Sequence, residues 1–256
     1  MSAYYALIAH YYDLDTANKT DDLALYERLA SGGGGPVFEV GCGTGRVLLH
    51  LAQQEIACLG VDTSPPMLER LERKLKAMPH LREWVRYARA DAITYQTDER
   101  FGLALLSFNM LMHFPQQEQQ LALLRNLRAL LRPSGLLLID LPNPSAAYSA
   151  SDDEHITLER TFLNPDTNNL VMLQSVSVLN RAEQIMRIQW MYDEVAADGT
   201  IKRLIAPHVL RYFFASEIRL LLRVAGYDVQ AIYGGYEEED YDDASERMVV
   251  YARPMA

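Results

Sequence analysis

Short apolar runs alternate with longer helical patterns along this chain from residue 35 onward. Such alternation predicts a parallel sheet covered by helices, which is an α/β fold. The predicted strands are residues 36–40, 59–61, 85–88, 103–108, 136–141, 227–233 and 248–253. Because the run 103–108 is almost entirely apolar, we expect it to be a central strand that is buried on both faces.

Apolar residues at helical spacing predict helices at 21–30, 67–78, 116–131 and 216–225. Ser64 is placed to cap the helix that follows it, and Pro65 suits the first turn because an N–H there has no partner to lose. Pro133 and Gly135 predict the end of the helix at 116–131, since proline cannot continue a helix and glycine turns freely.

Between residue 142 and about residue 207 the pattern changes to alternation of apolar and polar positions. With a turn at Asp198 and Gly199, this pattern predicts an inserted antiparallel platform. We therefore divide the chain into an N-terminal helical segment with the first part of the core (1–144), the insertion (145–206), and final strands with a helix that complete the core (207–256).

The composition narrows the possible partners. The chain carries a formal net charge of −10, so a nucleic acid would meet net repulsion. Its two cysteines, Cys42 and Cys58, cannot build a disulfide framework. The first ten residues lack the basic flank and the apolar run of a signal peptide, and no stretch is long enough to span a bilayer. We expect a cytoplasmic enzyme that acts on neither nucleic acid nor membrane.

A glycine-rich turn follows the first predicted strand, with Gly41, Gly43 and Gly45 at alternate positions before a helix. Glycines in such a turn let the backbone approach a ligand closely, which indicates a nucleotide-like ligand. A dinucleotide fold would place glycine or alanine at position 46, where this chain has Arg46, so NAD is the weaker interpretation. No Gly-Lys-Ser/Thr follows, which excludes a phosphate-binding P-loop.

The segment Glu39-Val-Gly-Cys-Gly-Thr-Gly45 resembles motif I of the class I S-adenosylmethionine-dependent methyltransferases, and the order of elements is similar over nearly the whole chain. The resemblance implies a seven-stranded, mostly parallel, Rossmann-like sheet with an antiparallel β insertion. It implies S-adenosylmethionine as cofactor and S-adenosylhomocysteine as product. In the family, the three glycines and Cys42 pass beneath the methionine part of the cofactor, and Glu39 lies near its amino end.

Further cofactor positions are implied at the ends of the next two strands. Asp62 stands where a carboxylate can accept hydrogen bonds from both ribose hydroxyls, although a helix-capping aspartate is the alternative. Thr63 and Met67 would flank the adenine, although a methionine on a helix is more often part of the core. Asp91 and Ala92 resemble the adenine-recognition motif of the family.

Residues after the fourth strand are candidates for both the cofactor and the acceptor. Phe108 and Asn109 are placed with the cofactor or the loop backbone. His113 is a candidate general base because its ordinary pKa of about 6.5 suits proton transfer near neutrality. A histidine that fixes the loop through a hydrogen bond is an equally weighted alternative.

Tyrosines crowd the segment ahead of the first predicted helix, where they could simply cover the sheet. Tyr12-Asp13-Leu14 resembles the entry segment of sugar-dimethylating and glycine-methylating N-methyltransferases, in which tyrosines close over cofactor and acceptor. On that resemblance Tyr4 and Tyr12 are assigned to the acceptor site with His113. In those relatives the insertion builds part of the acceptor pocket and sometimes a dimer contact, so a homodimer through the insertion is expected. Pocket-facing candidates within the insertion are Arg160, Arg187, Trp190 and Tyr192.

The expected reaction is direct displacement of the methyl group by a nitrogen or oxygen of a small-molecule acceptor, which requires alignment more than acid–base machinery. The chain shows no cysteine–histidine cluster or paired acidic ligands at metal spacing, so no metal is expected. The alternatives are a regulatory protein that binds the cofactor without turnover, an aminopropyl transferase and a nucleotide-dependent oxidoreductase.

Overall fold

A computed structural model describes residues 2–33, 35–145 and 155–255. The helices are α1 Ser2–Asp15, α2 Leu23–Gly32, α3 Arg46–Gln53, α4 Pro65–Ala77, α5 Gln117–Leu130 and α6 Ala215–Val224, with short 3-10 helices at Pro79–Leu81 and Met110–His113. The strands are β1 Val37–Val40, β2 Cys58–Asp62, β3 Val85–Arg89, β4 Phe101–Leu106, β5 Leu131–Pro142, β6 Thr157–Leu163, β7 Leu170–Asn180, β8 Ile185–Val195, β9 Ile201–Arg211, β10 Tyr227–Tyr233 and β11 Arg247–Pro254. Within the described ranges, none of the helices is both long and apolar enough to cross a membrane.

The main sheet has seven strands in the order β10-β11-β5-β4-β1-β2-β3. Strands β1 to β5 pair in parallel, and β11 lies antiparallel between β5 and β10. The predicted mostly parallel α/β sheet is therefore confirmed. Strand β4 lies at the centre with all six residues buried, as its apolar run predicts.

Helices cover both faces of this sheet because neighbouring residues of a strand point to opposite sides. On β1, Phe38 packs into the core on the side of α5 and α6. Its neighbour Val37 packs on the opposite side, against α2 and α3. The carboxyl ends of the parallel strands are left between these layers, where ligands bind in open sheets of this kind.

The insertion forms a separate antiparallel sheet in the order β6-β7-β8-β9. Its inner face is apolar: Leu173 and Tyr192 are buried and pack with Ile8 and Tyr11 of α1. The antiparallel platform predicted from alternation is thus present. The division of the chain into three domains remains a prediction.

Helix α1 was not predicted, because the tyrosine-rich segment was expected to precede the first helix. The structure shows that residues 2–15 are themselves helical. One side of α1 packs Ile8 and Tyr11 on the insertion sheet, and its C-terminal end reaches α4. Helix α1 therefore lies over the ends of the main strands rather than beside them.

One predicted boundary and one predicted capping contact are wrong. Helix α5 passes directly into β5, so the strand begins at Leu131 rather than at residue 136. Pro133 and Gly135 lie inside β5 at a register shift against β4, a place where a strand tolerates proline. Ser64 occupies the N-cap position of α4, but its side chain makes no capping hydrogen bond. Its backbone N–H instead donates to Asp62 Oδ1 at 2.8 Å.

Candidate active site

The glycine turn follows β1 and is fixed to the end of β2. Gly41 and Gly43 have φ of +68° and +53°, a region that favours glycine. The Gly41 N–H donates to the Val61 carbonyl at 2.8 Å, and the Gly43 N–H donates to Asp62 Oδ2 at 2.9 Å. A Cβ atom at Gly41 would also overlap the side chain of Met110. Only glycine fits this position.

A cavity lies over this turn at the carboxyl ends of β1, β2 and β4. It is roofed by tyrosines from α1 and floored by the glycine turn. The lining residues are Tyr5, Tyr12, Glu39, Gly41, Cys42, Gly43, Thr44, Arg46, Val47, Asp62, Met67, Ser107, Phe108 and Met110. We call this space the cofactor cavity.

Glu39 supplies a buried carboxylate to the cofactor cavity. Its Oε1 accepts a hydrogen bond from Ser107 Oγ at 2.8 Å, whereas Oε2 has no hydrogen-bond partner among the described residues. Burial raises the pKa of Glu39 from its ordinary 4.5 to about 7. A buried carboxylate oxygen without a donor is costly, so this atom is suited to a cationic ligand group.

Arg46 lines the cofactor cavity and its charge partly offsets the effect of burial on the pKa of Glu39, but among the described contacts it makes no hydrogen bond to Glu39. Its two terminal nitrogens donate to the two oxygens of the buried Asp22, each at 2.6 Å. The same guanidinium donates to the Lys19 carbonyl at 2.9 Å. Arg46 therefore ties the chain before α2 to the glycine turn, and Glu39 keeps its free oxygen.

A second set of ionic contacts fixes α1 over the cavity. Asp13 Oδ1 accepts hydrogen bonds from Thr44 Oγ1 at 2.6 Å and from Lys74 Nζ at 2.7 Å. Asp13 Oδ2 accepts a hydrogen bond from Arg70 Nε at 2.9 Å. One carboxylate thus links α1 to the glycine turn and to α4.

The turn after β4 has two non-glycine residues in the left-handed region, Phe108 at φ 42° and Asn109 at φ 66°. The buried Asp140 carboxylate holds this turn by accepting the Phe108 N–H at 3.2 Å. Arg247 donates to Asp140 and, at 2.8 Å, to Asn109 Oδ1. These contacts compensate a backbone conformation that is otherwise costly.

A second, wider space adjoins the cofactor cavity through Tyr5, Tyr12 and Phe108, which line both. We call it the acceptor cleft. About 1560 Å³ of it is unfilled, part of it open to solvent. Its other lining residues are Tyr4, Ile8, Leu14, Asp15, Thr16, Asn18, Lys19, Asp21, Asn109, His113, Arg160, Thr161, Phe162, Trp190, His208 and Leu210.

Two histidines meet where the acceptor cleft joins the cofactor cavity. His113 Nε2 lies 3.1 Å from Tyr5 Oη, and His113 Nδ1 lies 2.9 Å from His208 Nε2. Tyr4 stacks on His208 with ring centroids 4.1 Å apart. Burial, and for His113 also the neighbouring His208, lowers the pKa of His113 to about 3, and burial lowers that of His208 to about 4. Both rings are therefore neutral near pH 7.

The sequence of this chain matches both a protein-family model and individual known proteins. Residues 37–135 match the model of a family described as a methyltransferase domain. Over 217 residues the chain is 27% identical to a cypemycin N-terminal methyltransferase from a Streptomyces species. The matched region covers 85% of this chain and 82% of that protein. These matches support a class I S-adenosylmethionine-dependent methyltransferase.

Solved structures share the fold of this methyltransferase over nearly its whole length. The CcbJ methyltransferase from Streptomyces caelestis has a TM-score of 0.82 at 24% identity, covering 100% of this chain and 99% of that one. The sugar N-methyltransferase KedS8 from Streptoalloteichus sp ATCC 53650 has a TM-score of 0.74 at 20% identity. The match covers 96% of this chain and 93% of that one. At these identities the likeness concerns the fold.

The structure of the methyltransferase gathers most of the residues assigned to the cofactor from the sequence. Those that line the cofactor cavity are Glu39, Gly41, Cys42, Gly43, Asp62, Met67 and Phe108. Asn109 lines the acceptor cleft instead. Gly45, Thr63, Asp91 and Ala92 are not among the lining residues of either space. The roles of all these residues remain predictions.

Asp91 does not line the cofactor cavity with Glu39 and Asp62. Its side chain is exposed, and its Oδ1 accepts the N–H of Ile93 at 2.9 Å. Its neighbour Ala92 is buried in the core. Asp91 thus closes its own turn after β3 in this structure, and adenine recognition by Asp91 remains a prediction.

The acceptor residues assigned from sequence do come together. Tyr4, Tyr12 and His113 all line the acceptor cleft. Among the candidates of the insertion, Arg160 and Trp190 also line it.

The other two candidates of the insertion do not line the cleft. Arg187 is exposed and pairs with Val209 on the outer face of the insertion sheet. Tyr192 is buried and stacks on Tyr11, with ring centroids 5.1 Å apart.

Several residues of the methyltransferase site were missed. The sequence does not distinguish Tyr5 from the neighbouring tyrosines of α1, and His208 is marked only by its inward position in the alternation of β9. Arg46 was used only as an argument against NAD. Among the described residues no group of three or more His, Cys, Asp or Glu side chains could hold a metal ion, and a metal-independent reaction remains a prediction.

Proposed function

We propose that this methyltransferase transfers the methyl group of S-adenosylmethionine to a nitrogen atom of a small-molecule acceptor. The observation that carries the proposal is the partnerless buried oxygen of Glu39. It lies in a cavity that opens past Tyr5, Tyr12 and Phe108 into a second cleft. A cationic cofactor on one side and an acceptor on the other would meet between these aromatic side chains.

The residues of the cofactor cavity match the polar groups of S-adenosylmethionine. Glu39 Oε2 would accept a hydrogen bond from the amino group. The Asp62 carboxylate accepts backbone N–H groups from Gly43, Ser64 and Thr63, and because a carboxylate has about four acceptor sites it would also accept a ribose hydroxyl. The glycine turn lets the methionine part pass close to the backbone. When bound, the sulfonium supplies an electrophilic methyl group.

The residues between the two spaces align the acceptor and exclude water. Tyr5 and Tyr12 come from α1, which Asp13 ties down over the cavity. Displacement at a methyl group depends on alignment of a desolvated nucleophile, which these side chains provide. A neutral amine needs no deprotonation before attack, whereas an alcohol needs a base.

The histidine pair favours nitrogen over oxygen as the accepting atom. With a pKa of about 3, His113 is too weak a base to remove the proton of an alcohol near neutrality. A neutral amine carries its own lone pair. The names of two similar proteins, an N-terminal methyltransferase and a sugar N-methyltransferase, support the same choice.

Labelled transfer tests this proposal. The enzyme is incubated with methyl-labelled S-adenosylmethionine and each of glucosamine, an alanine-terminated tripeptide, glycine and catechol. We expect label in at least one amine and none in catechol, with Asp62→Asn as the binding-deficient control. Label in catechol alone, or no calorimetric binding of S-adenosylhomocysteine to the wild type, would reject the proposal.

We also propose that the insertion sheet mediates a homodimer. Its outer face exposes Leu163, Leu170, Ile201, Ile205 and Val209, and apolar side chains on one sheet face are suited to burial against a second copy. Light scattering after size exclusion should give a dimer mass, and Ile205→Glu should shift it to the monomer. A monomeric wild type would reject this assembly. The cytoplasmic location inferred from the sequence remains a prediction.

A further inference from the structure

Three side chains from distant parts of the chain form one hydrogen-bonded row at the junction of the two spaces. Tyr5 comes from α1, His113 from the 3-10 helix after β4, and His208 from β9 of the insertion sheet. The two contacts in the row are 3.1 and 2.9 Å long. Tyr5 lines both spaces, whereas the two histidines line only the acceptor cleft, so Tyr5 is the member of the row that reaches the cofactor cavity.

The row has one direction that satisfies its donors. Tyr5 keeps its proton because burial raises its pKa well above the ordinary 10. Among the described residues, His113 Nε2 is the hydrogen-bond acceptor available to that hydroxyl. If Tyr5 donates to Nε2, His113 carries its own proton on Nδ1 and donates it to His208 Nε2. His208 then carries its proton on Nδ1.

We propose that His208 is a positioning residue that orients this row, so that the Tyr5 oxygen turns its lone pairs toward the acceptor and selects an uncharged amine that still bears an N–H. This inference rests on the proposed function. The acceptor N–H donates to the Tyr5 oxygen, and its nitrogen lone pair is directed away from Tyr5 toward the methyl group. A reversed row would place the Tyr5 O–H against that lone pair and block attack.

The surroundings of His208 suit a fixed orientation. The residue is 8% exposed and its ring is stacked on Tyr4. The groups that face it are Tyr4 and Tyr5 of α1 and His113. Of the charged residues of the acceptor cleft, Asp15, Lys19 and Arg160 make no hydrogen bond to either histidine among the described contacts. The stack and the hydrogen bond fix the orientation of the His208 ring, and its tautomer follows from the hydrogen bond that each ring nitrogen makes.

The first experiment reads the tautomers directly in the free enzyme. Long-range proton–nitrogen NMR spectra are recorded at pH 7, with His113 and His208 assigned from the His113→Gln and His208→Gln variants. We expect both rings to be neutral with the proton on Nδ1. Protons on Nε2 of both rings, or a charged ring at pH 7, would overturn the proposal even if no acceptor were known.

The second experiment separates positioning from folding. Phenylalanine at position 208 keeps the stack but cannot accept a hydrogen bond, whereas glutamine offers an oxygen near the position of Nε2. With glucosamine and the tripeptide as probes, His208→Phe should lower kcat/KM for the amine about 10- to 100-fold, with the KM for the cofactor unchanged. His208→Gln should recover most of this loss. His80→Phe, on the exposed side of a distant 3-10 helix, serves as the control and should match the wild type.

Equal activity of His208→Phe and the wild type would overturn the proposal, as would a loss that glutamine does not rescue although both variants fold. A tertiary amine analogue of the methylated probe should gain no label, because it has no N–H for Tyr5. Failure of the wild type to methylate any amine would instead reject the proposed function, and the tautomer spectra would then decide the arrangement of the row on their own.

Discussion

Replacement of Glu39 by glutamine tests how the cofactor cavity recognises a cation. The substitution keeps the shape of the side chain and leaves Oε1 to accept the Ser107 hydroxyl. It replaces the partnerless Oε2 with an amide NH₂, which presents hydrogens to the amino group of the cofactor. The charge-assisted hydrogen bond is lost and nothing replaces it.

The size of the effect follows from that one contact. A hydrogen bond to a charged group contributes about 1.5–3 kcal/mol. A loss of about 2 kcal/mol weakens the dissociation constant for S-adenosylhomocysteine about 30-fold, since 1.4 kcal/mol corresponds to a factor of ten.

The pH dependence gives an independent signature. Burial holds the pKa of Glu39 at about 7 in the free enzyme, so the carboxyl is mostly protonated at pH 6 and mostly ionised at pH 8. Binding a cation at pH 6 requires release of that proton. The affinity of the wild type should therefore fall about tenfold per pH unit below pH 7 and level off above it. The glutamine variant should show no such slope.

Isothermal titration calorimetry at pH 6, 7 and 8 measures both effects. Two buffers of different ionisation enthalpy reveal the proton release near pH 7. Glu118→Gln, at an exposed position in the first turn of α5, is the matched control and should keep the wild-type affinity and slope. A wild-type affinity that does not change with pH, or a Glu39→Gln variant within twofold of the wild type at pH 8, would refute the reasoning.

Three further substitutions test the rest of the site. Asp62→Ala should abolish measurable calorimetric binding of S-adenosylhomocysteine, because Asp62 lines the cofactor cavity and accepts the Gly43 N–H of the glycine turn. His113→Ala should bind it normally but methylate slowly, because His113 lines only the acceptor cleft. Gly41→Ala should lower the melting temperature by several degrees, since the left-handed backbone costs about 1–2 kcal/mol and the new methyl group overlaps Met110. Asp140→Ala should cost about 3 kcal/mol in a urea titration, because it removes the ion-pair partner of the mostly buried Arg247 and releases the turn after β4.

Matched variants separate these effects from general damage. Gly199→Ala also forces a left-handed residue, at φ 84°, but its new methyl group meets nothing within 4 Å, so it should lower the melting temperature less than Gly41→Ala. Asp98→Ala removes an exposed carboxylate and should leave the urea midpoint unchanged. If His113→Ala lost binding of S-adenosylhomocysteine and Asp62→Ala kept it, the roles assigned to Asp62 and His113 would be rejected.

Much of the fold could be predicted from the sequence because the spacing of apolar residues within each strand or helix is a local feature. Buried strands such as β4 are continuous apolar runs, and the insertion strands alternate, so both patterns are visible within a few residues. Helix α1 was missed because its tyrosines hide the helical period of its apolar residues. The early start of β5 was missed because proline and glycine indicate a break, and only pairing with β4 holds them in the strand.

The site could be predicted only where it is built from one stretch of chain. The glycine turn and Glu39 lie within seven residues of each other, and Asp62 is placed by the next strand. The row from Tyr5 to His208 depends on contacts across 108 and 95 residues, which no local pattern contains. Asp91 shows the opposite case, since its spacing suits a ligand although its carboxylate is satisfied by its own turn.

The most direct test of the central claim is a crystal structure of the enzyme with S-adenosylhomocysteine. The account predicts the amino group within hydrogen-bond distance of Glu39 Oε2, the ribose hydroxyls on Asp62, and the sulfur facing the junction of Tyr5, Tyr12 and Phe108. Density for the ligand outside this cavity, or a sulfur atom that faces away from the acceptor cleft, would contradict it.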